Sequence, residues 1–281
     1  MIRSFDDPAG KNPRVPGPRS LLLSIERALA AKSNQPSDRA QDLFYQAMEA
    51  PSETEQIKLL EKALELDAGN VDVLLVLQRY ENFSPAEEIQ FLQNLVQLAE
   101  RRLGTKAFKD FTGMFWGFHE TRPYMRARER LAEALLRAGR TAEAIAEWNG
   151  MLKLNPNDNQ GIRYLLLPAV LRLNQLEAAR KLFEAYPDEF EFSVVFAWGR
   201  VLERFLAEDL PGAAAALVVA RKQNAHMQVY VKGHRPIPKT MPASYAPGSK
   251  EEAVCFADVL RAAWGQHPAA LKWLAAQKTT R

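Results

Sequence analysis

Two arginines with helical spacing are the residues of this chain best suited to binding chemistry. Arg126 and Arg130 lie four positions apart, so a helix places both guanidinium groups on one face. Because a guanidinium group donates paired hydrogen bonds to a carboxylate, this face predicts a site for an acidic peptide. The alternative is pairing within the chain, for which Glu129 and Glu133 are nearest in sequence. Arginines that converge without such partners repel one another, so an acidic ligand would then stabilise the fold.

A second group of cations lies in a proline-containing segment, residues 221–250. This segment has no acidic residue and includes Lys232, Arg235 and Lys239 among histidines and tyrosines. A basic segment with aromatic residues is suited to binding phosphate, RNA or an acidic protein. It is equally typical of a loop that wraps the end of a helical domain and exposes its charge, and no nucleic-acid-binding motif accompanies it.

Catalytic and metal-binding patterns are not found. His119, His226, His234 and His267 are scattered, without helical i, i+4 pairs, and Cys255 is the one cysteine. Since Cys255 lies among apolar residues, a structural buried thiol is favoured over a nucleophile. The chain has no phosphate loop, serine elbow or dinucleotide fingerprint. We therefore expect a protein that is not an enzyme and has no catalytic residue, cofactor or metal.

Composition indicates a soluble protein with a sizeable core. Of 281 residues, 47% are hydrophobic and 25% charged, and the net charge of +3 alone says little about partners. A single cysteine excludes an internal disulfide and favours a reducing compartment. No apolar run reaches the roughly 18 residues of a membrane span, and the N-terminus does not resemble a secretory signal. We expect a cytoplasmic protein without a membrane span.

The apolar pattern predicts helices throughout, arranged in consecutive pairs. Residues 1–36 form a flexible arm with one short amphipathic helix, which either docks on the first pair or binds elsewhere. Residues 37–278 form a single domain, in which a basic loop, 225–248, precedes two capping helices within 249–278. The helix pairs are predicted at about 37–70, 71–104, 124–158, 159–188 and 189–224.

An aromatic segment interrupts these pairs between residues 104 and 123. Phe108, Phe111, Phe115, Trp116 and Phe118 crowd together there with two glycines. One interpretation is an aromatic pocket. The other, which we favour, is an insertion that packs its rings between helix pairs, since aromatic side chains contribute much of a core's stability.

Residues 124–158 resemble a tetratricopeptide repeat. Small residues, Ala132 and Ala144, stand where the two helices cross closely, and large ones, Leu131 and Trp148, fill the adjoining groove. The resemblance implies an all-α fold, a right-handed α-solenoid with a C-terminal helical cap.

The same resemblance implies which side of the repeat the arginines face. Arg126 and Arg130 correspond to the second and sixth positions of the first helix, which face the concave groove. Arg163 occupies the fifth position of the next repeat, and Arg137 joins the set. Repeats that clamp a peptide's C-terminal carboxylates carry lysine or arginine at these second and sixth positions, although the asparagines of such clamps have no counterpart here.

A larger part of the chain, roughly residues 38–276, resembles the suppressor-of-tumorigenicity-seven family. Bacterial members are similar around Phe115–Gly117, Glu120–Arg128 and Leu154–Leu166. Animal members are similar in the C-terminal part, at Asn224–Met227 and Gly248–Val254, where Ala225 replaces a proline. This family has no established catalytic chemistry, so the resemblance implies a repeat-based interaction protein.

The sequence thus predicts a scaffold or adaptor that binds a protein or an acidic peptide through its concave face. The peptide-binding residues are Arg126, Arg130, Arg137 and Arg163. The alternative is a nucleic-acid- or anion-associated protein that uses Lys232, Arg235 and Lys239. The identity of the partner and the oligomeric state are not predicted.

Overall fold

The computed structural model describes residues 18–30 and 37–277, which contain helices and no strand. The prediction of an all-α protein is confirmed for these residues. The predicted mobile arm and linker fall largely on residues 1–17 and 31–36, which lie outside the described residues. The chain divides into two compact units at residues 160 and 161, called here the N-terminal and C-terminal units.

The N-terminal unit contains seven helices in its described residues, 18–30 and 37–160. A 3₁₀ turn, Gln78–Tyr80, extends α4, and two more, Phe115–Gly117 and His119–Thr121, precede α6. The helices are α1 (Pro18–Ala30), α2 (Asp38–Met48), α3 (Glu53–Leu66), α4 (Val71–Leu77), α5 (Pro85–Phe111), α6 (Arg122–Arg137) and α7 (Thr141–Leu154). In sequence, the three predicted pairs correspond to α2 with α3, α4 with α5, and α6 with α7, but α5 runs past the predicted end of its pair.

Side-chain caps fix where several of these helices begin. Ser37, Ser52 and Asn70 each accept a hydrogen bond from the backbone N–H three residues on, at 3.2–3.3 Å. Ser84 and Glu87 form a reciprocal capping box at the start of α5. Since these bonds satisfy donors that a helix start leaves unpaired, short polar residues before the apolar stripes determine the boundaries.

The N-terminal amphipathic helix packs on the rest of its unit. Leu21 and Ile25 of α1 are fully buried, and α1 contacts α5. The guanidinium group of Arg101 on α5 donates a hydrogen bond to the Leu29 carbonyl. This helix is therefore docked within its own unit, but mainly on α5 of the second predicted pair rather than on the first pair.

The aromatic segment of residues 104–123 differs from a simple insertion. Helix α5 continues past its predicted end to Phe111, with a kink at Gly104, where φ is +67° and ψ is 166°. A non-glycine residue rarely adopts this backbone conformation. Beyond the kink the rings pack on one another: Phe108 lies 5.1 Å from Phe115 and 5.2 Å from Tyr124, centroid to centroid. Phe115 is fully buried, which agrees with the favoured interpretation.

The C-terminal unit, described over residues 161–277, contains eight helices. Two of them, α10 and α13, have only four and five residues. The helices are α8 (Arg163–Arg172), α9 (Leu176–Ala185), α10 (Glu189–Phe192), α11 (Val194–Leu206), α12 (Leu210–Gln223), α13 (Met227–Val231), α14 (Lys250–Gly265) and α15 (Pro268–Ala276). Ser193 caps α11 and separates it from α10, so the predicted pair at 189–224 begins with a short extra helix.

A buried carboxylate, that of Glu252 on α14, connects three parts of the C-terminal unit. It accepts hydrogen bonds from the Asn224 side chain at 2.8 Å and from the Gly248 backbone N–H at 2.7 Å, while the Val194 N–H is 3.4 Å away. Ser249 caps α14 by accepting a hydrogen bond from the Glu252 backbone N–H. The Glu252 carboxylate accepts from the Gly248 N–H because it turns into the core. Asn224 and Gly248, from the two C-terminal stretches that carry the family resemblance, therefore meet at Glu252.

The packing of α6 on α7 gives the first testable prediction. Ala132 and Ala144 are fully buried, as the repeat pattern predicts for helix-crossing positions, so Ala144 has no space for a larger side chain. We expect Ala144→Leu to lower the free energy of unfolding by roughly 1–3 kcal/mol through overpacking. Urea denaturation of this variant and of Ala146→Leu, an exposed position on the same helix, provides the comparison. Equal stability of the two variants would contradict the crossing assigned to Ala144.

Candidate functional site

Arg126 on α6 binds a buried carboxylate of the same unit. Its Nε and Nη2 atoms donate to the two oxygens of Asp72 on α4, at 2.8 and 2.6 Å. The Asp72 side chain is only 2% exposed, whereas that of Arg126 is 37% exposed. This two-bond pair satisfies both carboxylate oxygens and connects the first helices of two consecutive pairs.

The remaining three arginines of the predicted site are also paired. Arg130 donates to Glu133 of the same helix at 2.9 Å, and Arg137 donates to Glu88 on α5 at 2.7 Å. Arg163 belongs to the C-terminal unit, where its guanidinium group contacts Glu189 at 2.7 Å. It also lies over the rings of Tyr164 and Tyr186 at 4.3 and 5.2 Å.

These pairings change the interpretation of the predicted peptide clamp. The sequence left two sources open for the carboxylates that these arginines need, and the internal source holds for all four. Glu133 was one of the two acids named from the sequence, whereas Asp72, Glu88 and Glu189 were not. An acidic ligand is therefore not needed to offset repulsion among these arginines, and their role in binding a peptide stays a prediction.

A cleft of about 1130 Å³ lies in the N-terminal unit beside the Arg126–Asp72 pair. The first helices of the three pairs, α2, α4 and α6, contribute to its walls, together with the part of α5 on both sides of the Gly104 kink. Apolar and aromatic side chains supply part of the lining. These are Phe44, Tyr45, Val71, Ala99, Leu103, Ala107, Phe111, Pro123 and Tyr124.

Exposed aromatic surface is available within this cleft. The side chain of Tyr45 on α2 is 54% exposed, and its ring meets that of Phe44 at a centroid distance of 5.7 Å. Phe111, at the end of α5, stacks on Phe118 at 3.9 Å. Rings of this kind contribute large apolar area when a ligand covers them. The aromatic segment therefore forms a buried cluster and also part of the cleft wall. It thus has features of both interpretations given above, the packed insertion and the aromatic pocket.

A second ion pair fixes the wall formed by α5. Arg102 donates from Nη1 to Asp67 at 2.9 Å, and both side chains are largely buried. Asp67 also accepts a hydrogen bond from the Gly69 backbone N–H at 3.1 Å, which holds the turn between α3 and α4. Because Arg102 packs directly against Gly69, a larger residue at that position would displace the guanidinium group.

The cleft lining carries nearly balanced charge. Five carboxylates, those of Asp38, Asp67, Asp72, Asp110 and Glu120, stand against four cations, Arg102, Lys106, Arg122 and Arg126. The two ion pairs described above neutralise four of these nine groups. The Nε atom of Arg122 donates to the Trp116 carbonyl at 2.9 Å. Lys106, Asp110 and Glu120 are exposed and make no ion pair within the described residues. The unpaired charge thus has a small acidic excess.

The basic residues of the alternative site follow α13 in the C-terminal unit. Lys232 is half-buried, and Arg235 and Lys239 are exposed. The Arg235 guanidinium group lies 5.8 Å from the centre of the Tyr230 ring. Among the ion pairs of the described residues none involves these three cations, so their charge faces solvent.

The single cysteine is half-buried rather than fully buried as predicted. Burial raises the pKa of the Cys255 thiol, and the carboxylates of Glu251 and Glu252 raise it further. Since the thiolate is the nucleophilic form, a raised pKa lowers its fraction at neutral pH.

Glu129, one turn after Met125 on α6, is a carboxylate in an unfavourable environment. Burial raises its pKa to about 7, the nearby charge of Glu133 adds to the increase, and a hydrogen bond from the Gln160 side chain and the charge of Arg130 oppose it. The folded protein therefore binds a proton at Glu129 across a pH range in which the unfolded chain, with an ordinary glutamate pKa near 4.5, does not.

The stability of the N-terminal unit should depend on pH through Glu129. Because the folded pKa is raised, the charged carboxylate destabilises the fold increasingly as pH rises from about 4.5 to about 7. We expect Glu129→Gln to match the wild type near pH 4 and to exceed it by on the order of 1–3 kcal/mol at pH 8. Urea denaturation across this range measures the difference, with exposed Glu65→Gln as the control. A stability difference independent of pH would contradict the raised pKa.

No helix of the described residues has the length and apolar character required to cross a membrane. No protein-family model matches this sequence, and comparison with curated proteins finds no match.

Proposed function

We propose that this chain is a non-catalytic interaction protein that holds a segment of a partner protein in the cleft of its N-terminal unit. The observation that carries the proposal is the cleft itself, a concave surface with the exposed ring of Tyr45 and with walls fixed by the buried carboxylates of Asp67 and Asp72, each paired with an arginine. Binding sites are typically concave and mostly apolar, with a few polar groups that determine orientation.

The order of the helices supports a tetratricopeptide-like architecture for this unit. Within each pair the two helices contact each other, and α3 contacts α4 as α5 contacts α6. In such a stack the first helix of every pair faces the concave side, which accounts for α2, α4 and α6 lining one cleft. For the C-terminal unit we propose the same principle, with α8 and α9, then α11 and α12, as pairs and with α14 and α15 as a cap.

The charges of the cleft favour a different ligand from the acidic peptide predicted from the sequence. Arg102 and Arg126 are engaged with Asp67 and Asp72, and the exposed, unpaired groups include Asp110 and Glu120. We therefore propose a partner segment with an aromatic or aliphatic anchor for the Tyr45 region and at least one basic residue for Asp110. Opposite charges at the rim add specificity and speed association more than they add affinity.

A random peptide library displayed on phage tests this proposal. We expect selection on the wild-type protein to enrich peptides with an apolar anchor and basic residues. Their affinity should fall at least about ten-fold on a Tyr45→Ala/Asp110→Lys variant, measured by fluorescence anisotropy with synthetic peptides. The matched control is Gln46→Ala/Glu65→Lys, which makes equivalent changes at exposed positions outside the cleft.

Three results would contradict the proposed site. Enriched peptides that bind the wild type, the cleft variant and the control with equal affinity would place binding elsewhere. Failure to enrich any peptide would remove the peptide-binding role. Enrichment of acidic peptides that lose affinity in an Arg126→Ala variant would restore the clamp predicted from the sequence.

An anion-binding role for the C-terminal unit is the second candidate. The observation that favours it is the solvent exposure of Arg235 and Lys239, without ion pairs in the described residues. Exposed cations of this kind attract nucleic acid or other polyanions through counterion release. None of the cleft substitutions above changes this surface, so the two roles are separable.

A further inference from the structure

One face of α12 in the C-terminal unit is apolar and open to solvent. Val218, near the centre of this face, is 63% exposed, and Val219 and Leu210, which lie at its opposite edges, are 55% and 47% exposed. Pro211, Ala214 and Ala215 are exposed between them. Contiguous apolar surface of this kind on a soluble protein is typical of an interaction site.

The opposite face of the same helix is already used. Ala213, Leu217 and Ala220 are buried, and α12 packs on α11. At 100° per residue these three positions lie on the side opposite Pro211, Ala215 and Val218. A helix that is apolar on both sides is the pattern expected for a helix covered on both sides.

The charges at the two ends of this face have opposite signs. Glu208, just before the helix, is exposed, and so is Lys222 in its last turn. Neither makes an ion pair within the described residues. The residues exposed between them, from Leu210 to Val219, carry no charge. If two copies of this helix pack antiparallel about a two-fold axis, the acidic end of each copy therefore lies beside the basic end of the other.

We propose that this face binds the same face of a second copy of the chain, with the two α12 helices antiparallel about a two-fold axis. The exposed alanines, Ala214 and Ala215, lie near the middle of the helix, where they allow the two backbones to approach closely. Val218 of each copy then packs beside the alanines of the other, and Glu208 of each copy pairs with Lys222 of the other. Such an interface is self-complementary, as a two-fold dimer requires, and the antiparallel helix dipoles attract each other.

The size of the contact sets the expected affinity. One helix of about 20 Å per copy gives an interface near the lower end of the range for specific complexes. We therefore expect a dimer that dissociates at micromolar concentration, about 1–100 μM.

Sedimentation equilibrium of the full chain, together with charge reversal, tests the dimer. The wild type should pass from monomer to dimer over this concentration range, and Val218→Glu should stay monomeric because it buries a charge within the interface. Glu208→Lys and Lys222→Glu should each weaken the dimer about ten-fold or more by placing like charges together. The double variant Glu208→Lys/Lys222→Glu should restore dimerisation, a result that general unfolding cannot produce. Lys181→Glu, an exposed position on α9, is the control.

A wild type that remains monomeric at every concentration would overturn the proposal, and sedimentation of that monomer with phosphatidylcholine vesicles would then assign the face to lipid. A dimer that is unaffected by Val218→Glu would equally exclude this face. These outcomes are independent of the peptide cleft, because α12 belongs to the C-terminal unit and contributes no residue to the cleft lining.

Discussion

The N-terminal unit depends on a carboxylate that has almost no contact with water. Asp72 lies in the first turn of α4, two residues after the Asn70 cap. Its negative charge is offset by the Arg126 guanidinium group. A buried carboxylate without such a partner is strongly destabilising. The pair therefore fixes where α6 lies against α4 and, with the Asp67–Arg102 pair, holds the walls of the cleft.

Much of the helical order follows from local signals in the sequence. The apolar pattern predicted where most helices of the N-terminal unit lie, and the small residues of the repeat pattern, Ala132 and Ala144, are buried. The extension of α5 was not predicted, since Gly104 reads as a helix end although it adopts a conformation that lets the chain continue at an angle. Likewise, Ser193 separates α10 from α11 by capping α11. In the sequence it is one polar residue among apolar ones, a pattern that favours a continuous helix.

The candidate site was less predictable than the fold, because its geometry comes from long-range pairing. Arg126 was identified from its helical spacing, but its partner Asp72 lies 54 residues earlier and resembles an ordinary first-turn acid. The same is true of Glu88 and Arg137. Tyr45 carries no sequence signal beyond an aromatic side chain on an amphipathic helix. In the C-terminal unit, the contact of Glu252 with Asn224 depends on tertiary packing and has no local signal in the sequence.

The four arginines predicted for the clamp thus pair with carboxylates of the chain, whereas recognition by the aromatic and acidic groups of the cleft is what we propose. A double-mutant cycle between Asp72 and Arg126 tests this assignment most directly, with Asp72→Asn, Arg126→Gln and the double variant compared by urea denaturation. We expect each single change to destabilise the protein and the two to be non-additive, with a coupling energy of about 1–3 kcal/mol. Additive effects, with a coupling energy near zero, would mean that Arg126 is available to a ligand and would contradict the account.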